Sequence, residues 1–169
     1  MTRNQRRYLI GQGIVGALVN LVLNAAIGWA AFRSLHVIPF SGPHSLSGDL
    51  VATAFVLPLL VCLIVTPLVR AEVRHGGIAP AEPSDNRLRR LLPRALVLRA
   101  VVLGLFAAAT VAPVVLMVLQ TMGVREVGLW QFVGFKAAFA AGLATVVTPL
   151  VAWRALMDTA AAPTAAAGV

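Results

Sequence analysis

Four long apolar runs constrain this chain more than anything else in it. They cover roughly residues 8–32, 49–69, 100–122 and 130–153. Each matches the roughly 20 helical residues that a hydrocarbon core requires, and the first is long enough to tilt. The predicted fold is therefore all-α, an integral membrane protein of four transmembrane helices, packed as a compact bundle. Composition agrees: 59% of residues are hydrophobic and 12% charged, against about 25% charged in a water-soluble domain. The surplus apolar surface has to face lipid.

The second and fourth runs close on the same five residues. Val65-Thr66-Pro67-Leu68-Val69 recurs as Val147-Thr148-Pro149-Leu150-Val151, and arginine follows each copy, at Arg70 and Arg154. Arg6-Arg7-Tyr8-Leu9 before the first run similarly matches Arg89-Arg90-Leu91-Leu92 before the third. These matches predict two hairpins of like build, a parallel two-span repeat whose halves keep one orientation. Chance identity in a chain so rich in valine and leucine is the competing reading.

The net charge of +8 does not imply nucleic acid, because the arginines flank apolar runs, as they do in cytoplasmic loops. Arg3, Arg6, Arg7, Arg70, Arg74, Arg87, Arg89, Arg90, Arg94, Arg99 and Arg154 fall on one side of the membrane, and only Arg33 and Arg125 on the other. Both termini are thus expected in the cytoplasm, in a bacterial inner membrane. The run that follows Arg3, Arg6 and Arg7 is too long for a signal core of about 7–15 residues and reads as a retained first span.

The expected membrane domain is residues 1–155, with an arginine-rich cytoplasmic loop at 70–99 and a disordered tail at 156–169. Arg87, Arg89, Arg90 and Arg94 alternate with leucines in a pattern that suits contact with anionic lipid or a partner. Pro58 is expected to kink the second span.

Small and amide residues recur every fourth position, which places them on one helix face. Span one carries Gln12, Gly16, Asn20, Asn24 and Gly28. Span three carries Ala100, Gly104, Ala108 and Ala112, and span four carries Lys136, Ala140, Ala144 and Thr148. Such stripes let membrane helices approach closely. Asn20 and Asn24 either line a polar path or clamp two helices through hydrogen bonds. Lys136, the only lysine, is an intramembrane charge and so a functional candidate, unless its ammonium snorkels to the headgroups. Asp49 either caps the second span or pairs with Lys136, since both lie near the outer boundary.

His36 and His44 share the first loop and are weak metal candidates without a recognised ligand spacing. Cys62 reads as packing material, and a lone cysteine gives no disulfide framework. No catalytic constellation, zinc motif or phosphate-binding glycine loop is visible, so neither an enzyme nor a cofactor is expected. Two functions are compatible with these residues. One is a permease-like or channel-like component, active as an oligomer, with Asn20, Asn24, Asp49 and Lys136 along an interior path. The other is a non-transporting protein that packs against a membrane-protein partner, a second copy, or anionic lipid of the bilayer.

Overall fold

The computed structural model describes residues 2–79 and 95–160. Four helices long and apolar enough to span a membrane make up almost all of it: α1 (Arg3–Phe32), α2 (Leu46–Arg74), α3 (Leu96–Thr121) and α4 (Leu129–Ala160). Each outruns its apolar run in at least one direction. Thr2 and Gln5 form a capping box that starts α1 ahead of the first apolar residues. Ser45 caps α2, accepting from the Gly48 amide at 3.3 Å. Three residues of the expected loop before the second span, Leu46, Ser47 and Gly48, are therefore helical.

The helix α4 also continues past the expected end of the membrane domain. Residues 156–160, assigned from the sequence to a disordered tail, are its last turn, with Leu156 and Met157 buried against Leu9 and Val69. The apolar count fails there because Arg154 and Asp158 interrupt the run, yet both are partnered inside the fold. Helix α2 passes through Pro58 and Pro67 as one element.

Connectivity and packing differ. The extensive interfaces are α1 with α4, α4 with α2, and α2 with α3. The sequence neighbours α1 and α2 share no such interface, nor do α3 and α4, so the pairs expected as hairpins are joined by loops without being packed side by side. The small-residue stripes explain the choice of partner. A methyl group on Gly16 would collide with the Thr148 hydroxyl, and one on Gly28 would sit 2.9 Å from the Lys136 chain, so α1 lies tight against α4. A methyl on Gly104 would come within 2.6 Å of the Phe55 carbonyl, which fixes α3 against α2. Ala140 and Ala144 bring α4 onto Leu57, Val61 and Cys62 of α2 in one buried cluster. Close backbone approach is what small residues contribute where lipid tails give no hydrophobic drive between helices.

The segments joining α1 to α2 and α3 to α4 carry a short antiparallel ribbon. Strand β1 (Val37–Pro39) pairs with β2 (Glu126–Gly128) in the register Val37 to Gly128, Ile38 to Val127 and Pro39 to Glu126. Ile38 is fully buried beneath it with Phe32, Leu46 and Phe132. Runs this short leave no periodic signal, so only the tertiary pairing identifies them as strands.

Candidate functional site

Polar side chains in the bundle gather in two places, one toward the loop end and one toward the end that carries the chain termini. The first is a groove between α1 and α2, floored by α4, with a volume of about 480 Å3. It exists because α1 and α2 each pack on α4 and not on each other. Along α1 the lining runs from Gln12 to Ile27, roughly 22 Å at 1.5 Å per residue, most of the depth of a hydrocarbon core. The walls are apolar, with Val19, Leu23, Val56 and Leu60 among them. A polar line runs along it through Gln12, Asn20, Asn24, Asp49, Thr53, Lys136 and Thr148.

All four of Asn20, Asn24, Asp49 and Lys136 therefore reach one groove. Lys136, only 4% exposed, donates from Nζ to the Asp49 carboxylate and to Thr53 Oγ1 at 3.2 Å. The pairing of Asp49 with Lys136 is thus present. Asp49 lies in the first turn of α2 but leaves capping to Ser45. One ion pair with a supporting hydroxyl makes this end of the groove a charge-balanced link between α2 and α4.

Asn20 and Asn24 behave differently from the expected clamp. Asn20 Nδ2 donates to the Gly16 carbonyl at 2.9 Å, and Asn24 Nδ2 to the Asn20 carbonyl at 3.0 Å. Both amides bond back to their own helix, one turn earlier, and among the described residues make no hydrogen bond across an interface. Both residues line the groove. Thr148 contributes a buried hydroxyl without a hydrogen-bond partner among the described residues.

The second gathering was missed in the sequence. Near the ends of α2 and α4 and the start of α3, three arginines surround one carboxylate. Arg99 Nη1 donates to Asp158 Oδ2 at 2.8 Å, Arg154 Nη1 to Asp158 Oδ1, and Arg70 Nη2 approaches Oδ2 at 3.5 Å. Arg99 Nη2 also donates to Thr66 Oγ1 at 3.1 Å, and Thr66 lies 3.9 Å from Cys62 Sγ. Arg99 and Arg154 are 0% and 2% exposed. Reading all arginines as topology signals hid these two, and Asp158 was lost with the tail. A polar threonine in each copy of the repeated motif was the one available hint.

Among the weaker candidates, His44 packs edge-on against Phe32, and His36 accepts the Leu129 amide through its backbone carbonyl. No group of three or more potential metal ligands occurs among the described residues. Arg87, Arg89, Arg90 and Arg94 lie outside the described residues. No family model matches the chain, and no curated protein or solved structure resembles it significantly.

Proposed function

We propose that this chain is a small permease-like protein of a bacterial inner membrane, with both termini in the cytoplasm, and that its solute binds in the groove between α1 and α2. One observation carries the reading: polar residues from three helices, from Gln12 in α1 to Thr148 in α4, converge on a single groove that runs most of the bilayer depth. Apolar walls with one polar line suit an amphipathic solute, whose polar groups would meet Asn20, Asn24 and the Asp49–Lys136 pair. Residues that bond only to their own helix, as Asn20 and Asn24 do, keep acceptor capacity for a ligand. A flux screen in proteoliposomes tests this. Loss of flux on the order of tenfold in Asn24→Ala and Lys136→Ala, for at least one solute, is the expected result. Identical flux in wild type and both variants for every solute sinks it.

A second reading is favoured by one observation. Helix α1 is sparsely covered and exposes Ile14, Leu18, Val22 and Leu23. In that reading the groove seats a helix of a second copy, and the arginine-rich loop contacts anionic lipid. Cross-linking between copies through a cysteine placed at Val19, with no flux, would decide for it.

The repeat has support of its own from the packing. Exchange of α1 with α3 and of α2 with α4 turns the α1–α4 interface into the α3–α2 interface. It leaves α2–α4 and the β1–β2 ribbon in place. Thr66 and Thr148 then occupy equivalent positions, each facing the outer helix of the other half, Thr66 against Arg99 and Thr148 against Gly16. We read the protein as two helix–strand–helix units that exchange partners across an axis along the membrane normal.

A further inference from the structure

The arginine cluster is out of electrostatic balance. Arg99 and Arg154 are both buried, with side chains 1% and 2% exposed, and they share a single carboxylate. Arg70, whose side chain is 40% exposed, adds a third positive charge at the rim. Guanidinium groups do not lose their proton in proteins, so the imbalance cannot be relieved by titration. A buried charge without a matching partner costs several kcal/mol. Hydrogen bonding is incomplete as well: Arg99 Nε and Arg154 Nε are buried and have no acceptor among the described residues. Among the described residues Arg154 bonds only to Asp158.

The chain itself offers little to correct this. At the end of the bundle that carries the cluster, the sequence supplies eleven arginines against four carboxylates, Glu72, Glu82, Asp85 and Asp158. The segment joining α2 to α3 holds Arg87, Arg89, Arg90 and Arg94 against Glu82 and Asp85, so it brings more cation than anion. Access is through Arg70 and through Asp158, whose side chain is 18% exposed.

We propose that Arg70, Arg99 and Arg154 form a binding site for a phosphate group, which completes the charge balance that Asp158 begins. Planar guanidinium forks match the oxygens of phosphate in pairs, and such charge-assisted bonds are stronger than neutral ones. The depth of the cluster, about one turn inside the helix ends, places the phosphate at headgroup level. A lipid headgroup and free phosphate present the same chemistry there. This site is separate from the groove and does not depend on the transport reading.

Isothermal titration of the full chain in an uncharged detergent tests the proposal, with inorganic phosphate and dihexanoyl phosphatidylglycerol as the two titrants. At least one of them should bind with one site per chain. Binding of phosphate alone assigns a soluble anion, and binding of the lipid alone assigns a headgroup. Arg70→Gln removes the rim donor and leaves the buried contacts in place; it should weaken binding roughly tenfold, the worth of one charge-assisted hydrogen bond. Arg99→Lys keeps the charge but loses the fork, and it too should weaken binding. The proposal is overturned if neither titrant binds the wild type, or if affinity is unchanged in both variants. It is equally overturned if only a Glu82→Gln/Asp85→Asn variant binds, because the chain's own loop would then be the partner of the cluster.

Discussion

The two charge clusters make an instructive pair. Near the loop end, Lys136 meets Asp49 one to one, with Thr53 as a further acceptor. Toward the end that carries the termini, Arg70, Arg99 and Arg154 meet Asp158 three to one, with Thr66 as a further acceptor. Both clusters join helices that are far apart in the chain, and both use a threonine of α2. They differ in charge balance. The first needs nothing more than its own members, so it acts as a link between α2 and α4. The second retains a surplus of buried positive charge, so it is held together by a carboxylate that is outnumbered and it remains attractive to anions.

That contrast ranks the variants. Asp158→Asn should be the most damaging, because it leaves two buried guanidiniums with no anion. A loss of about 3–5 kcal/mol is expected, the range for breaking a buried ion pair, read as a lowered unfolding midpoint in detergent micelles. Added phosphate should recover part of it if the surplus charge is the cause. Should Asp158→Asn cost no more than Asp49→Asn, the distinction between a balanced and an unbalanced cluster fails.

Asp49→Asn comes next, at about 3 kcal/mol, since Lys136 keeps Thr53 but loses its counter-ion. Exchanging the two charges, in Asp49→Lys with Lys136→Asp, should restore part of the loss. No restoration would mean that packing and not charge pairing dominates at this end. Gly16→Ala forces α1 away from Thr148 and should cost about 1–3 kcal/mol, the usual range for overpacking. It would widen the groove without touching either cluster, so its unfolding and its flux can be compared separately.

Thr53→Val tests how far the supporting hydroxyl matters, with about 1 kcal/mol expected for one hydrogen bond. Asn24→Ala should have the smallest effect on stability, under about 1 kcal/mol, because its bond returns to its own helix. An unfolding midpoint near wild type together with reduced flux would assign Asn24 to the groove and not to assembly. A large drop in midpoint would instead make it a packing residue.

Much of this was legible in the chain because lipid imposes simple rules on it. An apolar run that must hydrogen-bond to itself becomes a helix, and residues four apart share a face, so the four spans and their small stripes followed directly. Equal depth made the Asp49–Lys136 pair one of two readings, beside a helix cap for Asp49, and the tertiary structure brings the two groups together. The amides went the other way. Spacing places Asn20 and Asn24 on one face but says nothing about whether their amides bond across an interface, and among the described residues both bond back to α1.

What the sequence determined by itself is the number of helices, their approximate depth, and the faces on which small and polar residues lie. Only the tertiary structure decided which helix lies beside which. Loop length ties α1 to α2 in the chain, but close approach at Gly16 and Gly28 ties α1 to α4 in space, and that single choice opens the groove. It likewise decided that Arg99 and Asp158, 59 positions apart, share one buried pocket of charge. Local rules fix a residue's depth and face, whereas partners this distant are set by how whole helices fit together.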